Sequence, residues 1–312
     1  MSQSNDSKPA RPGGSQLRAM KPLDLTLFVS SVLIWGLAWI GTHYQVGVVA
    51  PEVSIVWRYA IATPMMFALA LLRGESLRYR AVEHLYFVGL GLTTFSLNYV
   101  LFYYAAKHVS SGLLSILFTL AAVGNVVMGA AFFGARIRPR TIAGGLLGVA
   151  GVAAMFYPEA KDLRLDGGAL LGFVLGLIAT SCFCFGNMIS LAAQRRRLPV
   201  FASLAWAMAY GTAFVALLAL VRGEVFTVDL RPAYLVSLAY LSVIGSFVGF
   251  GIYFTMLGRI GAARAGYSTV LYPVIALVAS TFLEGYRWTP LAVAGLVSVL
   301  AGVVLVLRQR AA

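Results

Sequence analysis

The 312-residue chain has little charge and almost no cysteine. Only 11% of its residues are charged, against 60% hydrophobic, and mean hydropathy is +0.85. A soluble domain carries about 25% charged and roughly 45–50% apolar residues. The shortage excludes a soluble enzyme, a disordered chain and a nucleic-acid-binding module. Cysteine is limited to Cys182 and Cys184. In one apolar helix that spacing points the two thiols about 200° apart. The sequence therefore offers no disulfide framework and no zinc spacing, and the pair reads first as small buried hydrophobes. There is no phosphate-cradling loop, hence no ATPase signature. A Ser/His/Asp array or a paired-carboxylate array for catalysis is also missing. The middle of the apolar runs carries no Asp or Glu, so coupling through an embedded carboxylate is not expected.

What is present is a series of long apolar runs. A spanning helix needs about 20 mostly apolar residues. Ten such runs are read, at roughly 24–43, 52–73, 83–106, 109–133, 140–157, 167–193, 200–222, 232–257, 263–284 and 289–308. Residues 1–21 are polar and basic and read as a disordered cytoplasmic tail rather than a signal peptide.

The formal charge of +13 sorts along this topology. With the N-terminus in the cytoplasm, 17 of the 24 Lys and Arg fall on the cytoplasmic side, in the tail, around Arg73–Arg80, Arg136–Arg140, Arg195–Arg197, Arg259–Arg264 and at Arg308 and Arg310. Six fall outside (Lys107, Lys161, Arg164, Arg222, Arg231, Arg287), and Arg58 lies within a run. Positive residues stay inside, so both termini are expected to be cytoplasmic. The excess charge is thus an orientation signal, and no nucleic-acid partner is expected.

The two halves resemble each other. Leu69-Ala-Leu-Leu-Arg-Gly-Glu75 matches Leu218-Ala-Leu-Val-Arg-Gly-Glu224 at an offset of 149, and Trp57 meets Trp206 in the same register. Pro139, Gly144 and Gly151 align with Pro290, Gly295 and Gly302 at an offset of 151. A unit of five spans is odd, so its copies insert with opposite orientation. The expected fold is an all-α polytopic membrane protein. Ten transmembrane helices form two inverted five-helix repeats, residues 22–158 and 159–312. Inverted repeats around a midplane site are common in secondary transporters; a duplicated bundle with no transport role is the plain alternative.

Several motifs carry a family resemblance: Trp35-Gly-Leu-Ala-Trp39, Arg58-Tyr59, Leu101-Phe-Tyr-Tyr-Ala105 followed by Val109-Ser-Ser-Gly112, Ile260-Gly-Ala-Ala-Arg264, and Phe282-Leu-Glu-Gly-Tyr-Arg-Trp-Thr-Pro290. In these the sequence resembles the drug/metabolite transporter superfamily, EamA type, across essentially all ten runs. One departure is Ala135, where many members carry a carboxylate. The aromatic third span and the last motif are most similar to the aromatic amino-acid exporter branch. The resemblance implies an inner-membrane secondary transporter that exports aromatic, and other large neutral, amino acids by alternating access without ATP or any cofactor. Two alternatives stay open: the same fold moving a drug, purine or sugar, and an intramembrane enzyme.

The candidate substrate-binding residues are Trp35, Trp39, His43, Arg58, Asn98, Tyr99, Tyr103, Ser246, Tyr267 and Tyr272. Arg58 is the embedded charge, either a carboxylate anchor or a structural bond to neighbouring helices. Asn98 needs partners for a buried amide, whether in a cavity or between helices. His43 lies near an outer helix end, as an interfacial group or a proton relay. Trp35 and Trp39 share one helix face, as do Tyr99 and Tyr103; each pair lines a path for an aromatic solute or simply packs. Pro64 and Pro273 interrupt their spans and free the carbonyls of Ala60 and Thr269. They are candidate kinks or gates. No metal ligand set is expected.

Overall fold

The computed structural model describes residues 22–134, 139–162, 168–260 and 267–307. The basic tail, Arg136, Arg138, Arg164, the Gly261–Arg264 part of the turn motif, Arg308 and Arg310 lie outside the described residues, as do the side chains of Arg140, Glu159, Lys161 and Asp162. No strand occurs among the described residues, whose regular structure is all helical.

Helix falls on every apolar run. The segments are α1 (Pro22–Gln45), α2 (Pro51–Leu72), α3 (Ala81–Ala105), α4 (Ser111–Phe133), α5 (Pro139–Asp162), α6 (Gly168–Arg195) and α7 (Val200–Val221). They continue with α8, α9 (Tyr267–Leu283) and α10 (Pro290–Leu307). Helix α8 is built of Pro232–Ala239, Tyr240–Val248 and Gly249–Ile260. Seven of the ten are long and apolar enough to cross a membrane; α5, α9 and α10 contribute shorter apolar stretches. Their outward faces are apolar, with Leu72 85%, Leu146 68% and Leu220 63% exposed. A water-soluble monomer rarely shows so much contiguous apolar surface.

Local chemistry explains the ends. Pro51 and Pro232 start their helices where a missing N–H costs nothing. The duplicated Arg-Gly-Glu sequence builds the same terminus twice. The Glu75 N–H donates to the Ala70 carbonyl at 3.0 Å and the Glu224 N–H to Ala219 at 2.9 Å. Gly74 and Gly223 supply the left-handed residue, at φ 73° and 69°.

Packing is reciprocal between the halves. Helix α2 packs on α7, and α5 on α10. A methyl at Gly151 would sit 2.6 Å from the Gly295 carbonyl oxygen; one at Gly302 would strike the Gly144 carbonyl oxygen in the same way. The Trp57 indole N–H reaches the carbonyl of Thr227, after α7, at 3.0 Å; the Trp206 indole reaches Leu77, after α2, at 3.2 Å. Small residues let these backbones touch, and contact replaces a hydrophobic driving force that lipid does not provide.

Two segments depart from the α-helical geometry expected of the runs. Gly91–Leu97 in α3 and Tyr240–Val248 in α8 are π-helical, and they begin 149 residues apart. In the turn at each, a hydroxyl bonds the carbonyl four residues back: Thr93 to Gly89 at 2.8 Å and Ser242 to Leu238 at 2.7 Å. Such back-bonding competes with the backbone ladder and bends helices. Helix α4 is also broken, at Leu120, just after Phe118. Thr94 of the first π-helical segment and Phe118, just before the break in α4, border one central space.

Candidate functional site

A cavity opens between α1, α2, α3, α4, α6, α8 and α9. Its lining is mostly ring carbon, in two groups one turn of α1 apart. Trp35 packs on Phe250 at 5.2 Å and Tyr272 at 5.7 Å between ring centroids. Trp39 packs on Phe102 at 5.0 Å and Phe118 at 5.7 Å, and Phe118 on Phe183 at 4.8 Å. Most of these pairs are edge-to-face, the geometry that ring quadrupoles favour.

Among the described residues, one charge faces this space. Arg58 on α2 is 3% exposed. Its Nε donates to Ser246 Oγ at 2.8 Å, and an Nη donates to the Tyr99 hydroxyl at 3.4 Å. The guanidinium carbon lies 4.5 Å from the Tyr99 ring centroid and 5.5 Å from that of Tyr59. A desolvated guanidinium over a ring face is a favourable contact. Helix α2 turns the Arg58 side inward because Ile55, Tyr59, Ala62 and Met66 bury the same face. The π-helical turn of α8 brings Ser246 across to meet it.

Most of the remaining polar groups of the lining are already engaged, but the Thr94 and Tyr103 hydroxyls are buried without a hydrogen-bond partner. Asn98 Nδ2 donates to the Ala179 carbonyl at 2.8 Å, and the Thr42 hydroxyl to Ala38 at 3.0 Å. The Trp35 indole N–H donates to Gly245 at 3.0 Å. The Tyr272 hydroxyl bridges Ser31 at 3.1 Å and Ser268 at 2.9 Å, tying α1 to α9.

Helix α1 is also held at each end by an ion pair. Asp24 takes Arg259 of α8 at 2.5 Å. His43 meets Glu284, beyond α9, at 2.9 Å. The Glu284 carboxylate also accepts from the Ser111 N–H at 3.2 Å, from the Ser111 hydroxyl at 2.5 Å, and from Ser280.

Seven of the ten sequence-predicted residues line the cavity together: Trp35, Trp39, Arg58, Asn98, Tyr99, Tyr103 and Tyr272. Ser246 stands behind Arg58 rather than in the lining. His43 lies apart from the central space, in its pair with Glu284. The Tyr267 side chain lies outside the described residues. Pro64 is exposed on the outer face of α2, opposite the buried stripe, so its freed carbonyl does not reach the cavity; Pro273 is buried beside Tyr272. Phe102, Phe118, Phe183, Phe250 and Thr94 were not singled out by sequence, because a ring in an apolar run carries no mark of direction. The one available signal was the Trp35/Trp39 register, which these rings complete. Asn187 Nδ2 donates to Asn125 Oδ1 at 3.1 Å and bridges α6 to α4.

The repeated helical plan and the cavity agree with sequence comparison. The profile of the EamA-like transporter family matches twice, over residues 23–157 and 170–308. The chain belongs to this family. An EamA-like transporter with this apolar surface is a multi-pass membrane protein. Among its relatives is a probable amino-acid metabolite efflux pump of Escherichia coli, 27% identical, covering 91% of this chain and 94% of the relative. A probable terminal-alkyne amino-acid exporter of Streptantibioticus cattleyicolor is 30% identical, covering 70% and 71%. An uncharacterised transporter of Archaeoglobus fulgidus is 26% identical, covering 90% and 97%. One solved crystal structure is similar in fold, with a TM-score of 0.67 at 18% identity over 92% of this chain and 96% of that one.

Proposed function

We propose that this EamA-like transporter is an inner-membrane secondary carrier that exports amino acids, aromatic ones preferentially. It crosses the membrane ten times with both termini cytoplasmic. Two inverted five-helix repeats, residues 22–158 and 159–312, exchange access to the cavity between them without ATP. The observation that carries this reading is Arg58, a permanent cation facing a cavity walled by rings. A guanidinium fork suits a carboxylate, and rings suit an aromatic side chain by stacking. The names of two relatives, an amino-acid metabolite efflux pump and an amino-acid exporter, support the substrate class. The reciprocal α2–α7 and α5–α10 contacts support the repeats, and the charge bias supports the orientation.

In this mechanism the substrate carboxylate binds Arg58, while Ser246 and Tyr99 hold the guanidinium. The ring lies between the Trp35 and Trp39 groups. Release to either side requires α1 to part from one of its two end pairs, Asp24–Arg259 or His43–Glu284. The test is counterflow in proteoliposomes, with tritiated phenylalanine, tryptophan and tyrosine outside and the unlabelled substrate inside. Uptake above empty vesicles, lost in Arg58→Gln, is expected; equal uptake by protein-containing and empty vesicles refutes the reading.

A further inference from the structure

The buried charges among the described residues do not balance at the cavity. Four charged side chains are buried: Asp24, Glu52, Asp229 and Arg58. Each carboxylate has its own arginine. Asp24 pairs with Arg259, Glu52 with Arg222 at 3.5 Å, and Asp229 with Arg231 at 2.6 Å. Glu52, the nearest of them along α2, also accepts from the Tyr104 hydroxyl at 3.1 Å. Glu284 is taken by His43, Ser111 and Ser280. Arg58 is the buried cation left without a carboxylate, and its partners are two neutral hydroxyls and ring faces.

A ligand entering this cavity therefore meets, among the described residues, one positive charge and no negative one. A monoanion brings the enclosed charge to zero. A zwitterion leaves it at plus one, and its ammonium stands close to the guanidinium that holds its carboxylate. An uncompensated charge in a low-dielectric space is costly. The lining offers an ammonium ring faces and neutral oxygens, the unpartnered Thr94 and Tyr103 hydroxyls among them, but no carboxylate. No carboxylate among the described lining residues balances the charge of an amino group.

We infer that the Arg58 cavity recognises aromatic monocarboxylates by their net negative charge, so that N-acylated and deaminated aromatic acids are substrates at least as good as the parent amino acids. The inference rests on the proposed binding of a carboxylate at Arg58 and refines its substrate class. Because a monoanion carries net charge and a zwitterion does not, its movement is electrogenic.

The full-length protein in liposomes tests this with two labelled cargoes, phenylalanine and N-acetylphenylalanine, and with phenylalaninamide and 3-phenylpropionate as competitors. Both acids are expected to inhibit phenylalanine counterflow at least as well as unlabelled phenylalanine, and the amide about tenfold or more weakly. N-acetylphenylalanine uptake should follow an imposed potassium–valinomycin potential, whereas phenylalanine uptake should not. In Arg58→Gln the ranking of acid over amide should disappear, while Arg58→Lys retains it. Phenylalanine counterflow with N-acetylphenylalanine about tenfold weaker overturns the inference and leaves the carrier reading standing. Arg58-dependent counterflow of N-acetylphenylalanine without that of phenylalanine upholds the inference and removes the zwitterion as substrate. Failure of both cargoes overturns both.

Discussion

A guanidinium that is 3% exposed has to replace its hydration with something, and Arg58 does so with Ser246, Tyr99 and two ring faces. These are different jobs, and substitutions separate them. Arg58→Gln removes the charge, and counterflow of an aromatic amino acid should fall about tenfold or more, since losing one partner of a buried charged pair costs roughly 2–5 kcal/mol. Arg58→Lys keeps a point charge without the planar fork and should fall between. Ser246 is a positioning residue. Ser246→Ala should raise the half-saturation concentration with little change in the saturated rate, and Ser246→Thr should restore it; unchanged half-saturation in the alanine variant contradicts this role. The residues at this scale were partly legible in the sequence. An arginine inside an apolar run stands out, and so do two tryptophans at i, i+4. The four phenylalanines that complete the wall do not. In a membrane helix the lipid face and the packing face are both apolar, so the usual alternation that tells inside from outside fades. The same loss hid the outward direction of Pro64.

At the scale of helices, contact between α5 and α10 depends on residues with no side chain. At Gly151 a methyl alone would stand 2.6 Å from the Gly295 carbonyl oxygen, so the larger side chain of Gly151→Leu must push the helices apart. Overpacking of this kind costs about 1–3 kcal/mol, and the unfolding temperature in detergent should drop. Leu146→Ala, on the exposed face of α5, should change it little, roughly within 0.5 kcal/mol. Equal effects would mean that α5 and α10 do not pack through these glycines. The glycines were legible as matching repeat positions at an offset of 151, but their partners were not, since Gly151 meets Gly295 and Gly302 meets Gly144 rather than each glycine meeting its own counterpart. The π-helical turns in α3 and α8 were not. Their cause is present in the sequence, as Thr93 and Ser242 in matching register, but a hydroxyl in a helix bends the backbone only if its neighbours leave room. That condition is tertiary.

For the whole molecule, α1 is the element that both end pairs hold. Weakening one should bias access to the cavity toward that side. Thr42 lies in the lining, next to His43. In a Thr42→Cys background, Glu284→Gln should speed labelling by a membrane-impermeant thiol reagent from outside, and Asp24→Asn should slow it. Change in the same direction for both variants would show that the two pairs do not oppose each other. The repeat and the charge bias were legible in the sequence because both are linear patterns. The coupling of α1 to α8 at one end and to Glu284 at the other was not, since Asp24 and Arg259 lie 235 residues apart.

The central claim is that a carboxylate-bearing aromatic solute binds Arg58 in the cavity between the halves. Counterflow of tritiated phenylalanine by purified protein in liposomes, with Arg58→Gln reconstituted in parallel, addresses it most directly. The expected result is uptake above empty vesicles that saturates with substrate and falls about tenfold or more in the variant. Saturable uptake that is unchanged in Arg58→Gln would contradict it.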